Sequence, residues 1–473
     1  MKILLILICF LSSFSLYADS YHYYNSLFGD RAAGMGGAYS AIADSPSGIY
    51  YNPAGTSLAP DNYLTVSSNM YTEVSKRYQN VFGRGEDYVR KSKSFNPNFI
   101  GTIKKISKFS IGIAIINPVN EKFDQADQFN LPPYFPDFTR SFVDYTEENQ
   151  NLQAGLSLAY PLSRKLQIGM TAFYFDDSSK IVLEQIVEKK DRSFIKATYR
   201  ERRNTTGLIP VLGVLYDFTE KLSLGATIRK PKVLKNSQII SGDRISDKTK
   251  TVENLIYNYN TTVLSSTTQN EKVYMSGGLP VSIPEIFEYR VGLAYFLSSS
   301  FIMSADLIQY DSFRKNRNRS EWEPFSGELT MRDRRDPELD REKVLNYAFG
   351  FEYFLLPTVS LRIGTYSNNA NTSSYNWKRA VGEFILANQQ KNYIDLGNNT
   401  VYYPEILQRK TRYENVDLRG YTIGISFESN ISALSLTYVY EYGKGASQIS
   451  ASQLPQSLIY ANKSIYIIAS SHK

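Results

Sequence analysis

Cysteine is almost missing from this chain. The one residue, Cys9, falls within the first 18 positions, so the remainder has no thiol, disulfide or cysteine-based metal site to offer. Histidine is nearly as scarce: His22 stands near the start and His472 is next to last. Neither belongs to a strand or loop that carries a candidate serine, which argues against a histidine-based catalytic triad or metal centre. Sequence reasoning therefore expects no enzyme, no metal and no cofactor. Beyond residue 18 no apolar run reaches the roughly 18 residues a spanning helix needs. If the chain crosses a membrane, it does so with strands. Strong charge of one sign is absent too. The formal net charge of +7 is mild for 473 residues. The short basic runs at 200–203, 315–319 and 332–335 are matched by nearby acids, so a nucleic-acid partner is not expected.

What is present begins with residues 1–18, MKILLILICFLSSFSLYA. One lysine leads, an apolar core follows, and Ser15-Leu16-Tyr17-Ala18 offers small residues at the expected cleavage positions. This reads as a signal peptide removed after export.

The rest is dominated by one motif: an alternating strand, a turn of two to five residues, and a second alternating strand. Clear copies cover 151–175, 209–230, 288–310, 346–367 and 421–442, with a weaker one at 99–115. In 345–355, Leu345, Tyr347, Phe349, Phe351, Tyr353 and Leu355 share one face, and Asn346, Ala348, Gly350 and Glu352 lie on the other. Period-two alternation over about ten residues is the signature of outer-membrane strands. Turns inside each hairpin are short. The connections between hairpins, about 116–148, 177–204, 232–284, 312–342, 369–417 and 444–461, read as long polar loops. Aromatics gather beside the short turns (Tyr160, Tyr216, Phe218, Tyr295, Tyr353, Phe427), as in an interfacial girdle. A soluble β-sandwich alternates as well, but fits neither the leader nor this loop asymmetry.

Six hairpins give twelve strands, and 62–74 and 463–470 add one at each end. Fourteen is even, as single-chain bacterial barrels require. Barrels of about 8 strands fill with side chains, whereas this one would enclose a wider lumen. The 43 residues from Asp19 to Asp61 suit a plug. Glycine also recurs on the small or polar strand face (Gly155, Gly169, Gly225, Gly292, Gly350, Gly364, Gly424), which predicts close approach by something packed inside. The expected organisation is a signal peptide (1–18), a plug (19–61) and an all-β, 14-stranded antiparallel transmembrane barrel (62–473).

Within the plug, Gly34, Gly36 and Gly37 lack the strand context and the Lys-Ser/Thr step of a phosphate loop, so they read as packing glycines. The series Ala33-Gly34, Gly37-Ala38, Ala41-Ile42-Ala43-Asp44 and Asn52-Pro53-Ala54 resembles the N-terminal hatch of the FadL-type family of outer-membrane transporters for long-chain fatty acids and other hydrophobic molecules. The family usually has a second Asp where this chain has Ser45. The resemblance spans about 35 residues and implies a monomer in outer-membrane lipid, carrying a hydrophobic small molecule inward without energy. It also implies a route: capture by outer loops, a pocket in the lumen, and lateral exit at the third strand when the hatch shifts.

That strand would be about 108–117, so Asn117-Pro118 marks either the opening or an ordinary strand end. The aromatics Phe129, Tyr134 and Phe135 either capture ligand or pack together over the barrel top. Alternation points Arg229, Arg290 and Arg362 into the lumen. A carboxylate ligand would want them, but the inward acids Glu288, Asp306, Glu352, Glu428 and Glu441 favour a structural network of ion pairs. Two other roles stay open: a barrel of the same type serving surface attachment or secretion, and an open porin.

Overall fold

The computed structural model describes residues 21–23, 26–81, 85–130, 138–246, 252–258, 263–268, 271–276, 284–313, 341–372, 393–395, 400–402, 412–448 and 456–471. Residues 1–18, the expected leader, and Tyr134, Phe135 and His472 lie outside them.

The wall opens with β1 (Tyr63–Tyr78), β2 (Tyr88–Ile106), β3 (Phe109–Asn130), β4 (Phe138–Pro161), β5 (Leu166–Lys189) and β6 (Phe194–Thr219). It continues through β7 (Leu222–Arg229) and β8 (Lys232–Ser246), which share one position beside β6. Lys230-Pro231 divides that strand, because proline cannot donate to the ladder. The strands β9 (Val252–Asn258), β10 (Val263–Thr268) and β11 (Glu271–Ser276) extend outward from β8. The wall resumes at β12 (Glu288–Ser298), which pairs with β7, then β13 (Phe301–Tyr310), β14 (Val344–Leu356) and β15 (Val359–Asn368). A small pair, β16 (Tyr393–Asp395) with β17 (Thr400–Tyr402), and β18 (Arg412–Asn415) precede β19 (Leu418–Glu428), β20 (Ser432–Gln448) and β21 (Gln456–Ser471). Strand β21 pairs antiparallel with β1, which closes a 14-stranded barrel.

Alternation does what the sequence predicts. Along β12, Glu288, Arg290, Gly292 and Ala294 point inward and are buried, while Tyr289, Val291, Leu293 and Tyr295 face outward. Arg290 is 1% exposed and Val291 is 58% exposed. The other walls repeat this outward belt of Leu, Ile, Val, Phe and Tyr, an arrangement that is stable only when lipid covers it.

One expectation needs correction. Much of 116–148 and 177–204 is strand, not loop. β4 and β5 run 24 residues each and β6 runs 26, against 10 or 11 in β12, β13 and β15. Above the apolar belt the alternation persists, but the outward residues become polar, as in Asp144, Thr146 and Glu148 of β4. Cross-strand ion pairs such as Lys122–Glu148 at 3.1 Å and Lys196–Glu184 at 2.7 Å line this solvated extension. The polar outward face disguised a tall wall as loops. The start of the stretch 232–284 and the ends of 444–461 are strand as well.

Inside the barrel, residues from Leu27 to Ala59 are buried except for half-buried Arg31, Asp44 and Tyr50 and exposed Leu58. This segment folds as a short helix (Asp30–Gly34), a second (Gly48–Tyr51) and a 3-10 turn (Pro53–Ser57). Its core joins Phe28, Met35, Tyr39, Ile49 and Tyr51 to the wall residues Phe99, Ile103, Phe173 and Val211.

Candidate functional site

The plug is built to touch the wall everywhere. Gly36 and Gly37 carry positive φ, at 63° and 85°, which closes the first helix: the Gly37 amide donates back to the Ala32 carbonyl at 2.7 Å. The glycines foreseen on the inward strand faces meet this segment. A methyl group added at Gly169 would strike the Pro53 backbone, at Gly225 the Ser40 carbonyl, at Gly350 Met35, and at Gly364 Gly36. Gly155 is the exception, since its neighbour is the Phe173 ring.

Asn52-Pro53-Ala54 has a physical role. The Asn52 carboxamide oxygen accepts from the Ala54 amide at 3.1 Å and caps the 3-10 turn, with Pro53 where a missing N–H costs nothing. The Asn52 Nδ2 donates to Ser40 O at 2.7 Å and to Val214 O of the wall at 3.0 Å. One side chain thus fastens the turn, the plug and β6. Wall donors satisfy further plug carbonyls: Thr171 reaches Ile49 O at 3.0 Å, Thr422 reaches Gly34 O at 2.7 Å, and Arg229 reaches Tyr50 O at 2.6 Å.

Charge locks the same seam. Arg31 of the plug binds Asp44 at 2.8 Å and wall Glu352 at 2.7 Å. Burial opposes the Arg31 charge, but Asp44 and Glu352 outweigh it and hold the guanidinium protonated. The buried Tyr39 hydroxyl donates to Asp44 at 2.8 Å and accepts from Ser45 Oγ at 3.0 Å. Burial first, and then Asp44, push its phenol up. Arg362 binds Glu352 at 2.6 Å and Glu428 at 2.8 Å, with Asp30 at 3.7 Å. Arg290 lies 3.6 Å from both Glu288 and Asp306, and Arg229 lies 3.3 Å from Glu288. Asp306 also accepts from the Tyr39 amide at 3.2 Å, the Ser40 amide at 3.1 Å and Ser40 Oγ at 2.6 Å. The three inward arginines therefore stand in ion-paired networks where wall meets plug. Glu441 stands apart from them and accepts from Asn368 Nδ2 at 3.2 Å.

The wall has a gap. Strands β2 and β3 pair at Phe99↔Ile116 and again at Ser92↔Phe123, but residues 93–98 and 117–122 between them share no ladder pair. Each strand keeps its other neighbour there. On β3, Asn117 and Pro118 stand opposite Leu152 alone, which is a bulge. On β2, Asn98 is the extra residue beside Pro97. A proline on each lip removes a ladder donor. Sequence reasoning singled out Asn117-Pro118 but missed Asn96-Pro97-Asn98; the repeated Asn-Pro step was the available signal.

The plug residues Ser26 and Leu27 sit in this gap. Ser26 Oγ donates to Pro118 O at 2.8 Å, and Asn98 Nδ2 donates to Leu27 O at 2.8 Å. The Asn96 and Asn117 amides lie 3.0 Å apart across the opening. A cavity of about 40 Å³ adjoins it, lined by Ser26, Asn96, Pro118, Glu121, Glu441 and Tyr466 among others. Outside, lipid-facing Phe95, Ile100, Ile115 and Leu152 surround the lips.

Above the gap, Arg90 packs on the Phe123 ring at 4.5 Å and the Tyr145 ring at 4.3 Å and is ion-paired with Glu147. Lys76 binds Glu414 at 2.8 Å beside it. Phe123 thus lies on a strand, buried beneath an arginine. Phe129 is half-buried and meets Tyr88 edge-on at 5.6 Å.

No family model matches the sequence, and no curated protein matches it. Solved structures do. The toluene transporter TodX of Pseudomonas putida aligns over 95% of this chain and 99% of its own, at 13% identity and a TM-score of 0.58. A FadL homologue of Pseudomonas aeruginosa aligns over 95% and 99%, at 9% identity and a TM-score of 0.56. The Ralstonia pickettii toluene transporter TbuX aligns over the same shares, at 13% identity and a TM-score of 0.53. These likenesses establish the fold: a plugged barrel of the FadL type.

Proposed function

We propose that this protein resides in the bacterial outer membrane and carries hydrophobic compounds inward by passive diffusion, releasing them sideways through the β2–β3 gap. In this reading the plug is a hatch. The observation that carries it is the coincidence of a broken ladder, a proline on each lip and the plug residues Ser26 and Leu27 seated in the break. Unpaired backbone at membrane depth is tolerated only where protein or a water-filled cavity covers it. Residues Ser26 and Leu27 give that cover, so moving them exposes a path from lumen to lipid. Neighbours of the same fold carry toluene, which supports an apolar cargo.

Long-chain fatty acids are the cargo the hatch resemblance implies. The three arginines suited to a carboxylate are engaged with Glu288, Asp306, Glu352 and Glu428, so they act as fasteners of the hatch in this proposal. The tall wall of β3 to β6 is the feature a surface-attachment role would use, but such a role has no need of a sealed gap. The test compares cells carrying and lacking the protein for influx of a hydrophobic probe. Protein-dependent influx with no open-channel conductance in planar bilayers is expected. Equal influx in both strains rejects transport, and a steady open conductance favours a porin.

A further inference from the structure

The end of the barrel that bears the short turns is divided by charge. In an outer-membrane barrel this end faces the periplasm. Around β2 to β7 it carries six cations: Lys104 and Lys105 at the end of β2, Lys108 in the β2–β3 turn, Arg164 and Lys165 in the β4–β5 turn, and Lys221 in the β6–β7 turn. All are exposed except half-buried Lys105. The turns are neighbours: Ser110 of β3 pairs with Ala159 of β4, and the Asp217 amide donates to Lys165 O at 2.8 Å. Three acids share this half. Asp61 accepts from the Lys105 amide at 2.8 Å and the Asn62 amide at 2.9 Å, Asp217 accepts from Ser223 Oγ at 3.0 Å, and Glu220 is exposed. Asp44 of the plug is bound to Arg31. The half is left with an excess of positive charge. The turns of the opposite half, 298–300, 357–358 and 429–431, hold no lysine or arginine, and Glu428 stands beside the last of them.

These cations stand at the edge of the lipid belt. Ile106, Phe109, Leu162 and Phe218 are exposed among them, in the same turns and strand ends. Lys104 lies on the lipid-facing side of β2, opposite outward Ile111. A lysine so placed lays its methylenes along the apolar belt and brings its ammonium to headgroup depth. A soluble periplasmic protein does not reach that surface, whereas a phospholipid headgroup lies against it. We propose that this half of the rim is a binding surface for anionic phospholipids of the periplasmic leaflet, such as phosphatidylglycerol. Lysine and arginine beside a membrane attract anionic headgroups within about a Debye length. Anionic lipid therefore collects beside β2 to β7, the side that carries the broken ladder, and not beside the opposite turns. The surface requires only residence in the outer membrane and is independent of the route by which cargo leaves.

The test uses two matched leucines in turns of the two halves, Leu162 at 59% exposure and Leu356 at 58%. Leu162→Cys and Leu356→Cys are made singly, labelled with a fluorophore and placed in phosphatidylcholine bilayers. Quenching by spin-labelled phosphatidylglycerol is compared with quenching by spin-labelled phosphatidylcholine of the same chains. At Leu162→Cys the anionic lipid is expected to quench on the order of fivefold more at low salt, and the ratio is expected to fall towards unity at about 1 M salt. At Leu356→Cys the two lipids are expected to quench alike. The variant Lys104→Gln/Lys108→Gln/Arg164→Gln/Lys165→Gln/Lys221→Gln changes exposed positions only and is expected to bring the Leu162→Cys ratio to unity. Equal quenching by the two lipids at Leu162→Cys in the wild-type rim overturns the proposal and gives the basic rim to a soluble acidic partner instead. The same anionic preference on both halves, or a preference that the glutamine variant leaves unmoved, overturns it as well.

Discussion

The hydroxyl of Ser26 donates to the carbonyl of Pro118 at 2.8 Å. Ser26 belongs to the leading stretch of the plug, and Pro118 is the residue that interrupts the third wall strand. Their contact joins the two features on which the proposed release route depends. A short thiol-reactive crosslink between Ser26→Cys and Pro118→Cys is therefore expected to abolish probe uptake, with recovery on cleavage of the linker. Cys9 is the chain's only native cysteine and lies within the expected leader, so labelling reports on the engineered pair.

Glu352 holds Arg31 of the plug and Arg362 of the wall at once. Replacing it with alanine leaves two buried guanidinium groups short of a counter-charge, a cost on the order of 3–5 kcal/mol. Glu352→Ala is expected to raise hydrogen exchange across residues 30–44 while the β-sheet content stays intact. Unchanged exchange there would deny the ion pair its fastening role.

Asn52 is expected to behave as a fastener of a different kind. Its loss removes the cap on Ala54 and leaves the Ser40 and Val214 carbonyls each without that donor, at roughly 1–3 kcal/mol for each buried group left unmade. Asn52→Ala should lower the unfolding temperature and loosen the 3-10 turn, as read by protease sensitivity at 52–58.

Gly225 offers a steric test. A side chain there meets the Ser40 carbonyl and the Ala41 backbone, neither of which can swing aside. Gly225→Val is expected to displace the plug and give measurable ion conductance in planar bilayers. Leu224→Ala, on the lipid-facing side, should stay closed. Equal conductance from the two would mean that the plug does not seal the lumen.

Much of this was legible in the sequence because alternation is a local property. Six hairpins and two terminal strands could be counted directly, and the inward direction of Arg229, Arg290 and Arg362 followed from parity. The recurrent wall glycines foretold a packed lumen. What could not be read was pairing between distant residues. Nothing local ties Arg31 to Glu352, or Ser26 to Pro118, because those contacts exist only once the barrel has closed around the plug. Strand length was misjudged for a different reason. Above the lipid, the outward face of β4 and β5 changes from leucine and isoleucine to charge, so a hydrophobic pattern ends while the ladder continues. The gap itself was half visible: Asn117-Pro118 drew notice, and its partner lip at Asn96-Pro97-Asn98 did not.

Lateral release between β2 and β3 depends on the broken ladder, and restoring that ladder probes it. Pro97→Val with Pro118→Val returns a backbone donor to each lip and lets residues 93–98 pair with 117–122. Influx of a hydrophobic probe is then compared with the wild type at matched amounts of folded protein in the membrane. Uptake is expected to fall to the level of cells lacking the protein. Wild-type uptake through a sealed seam would contradict it and require the cargo to leave by another route.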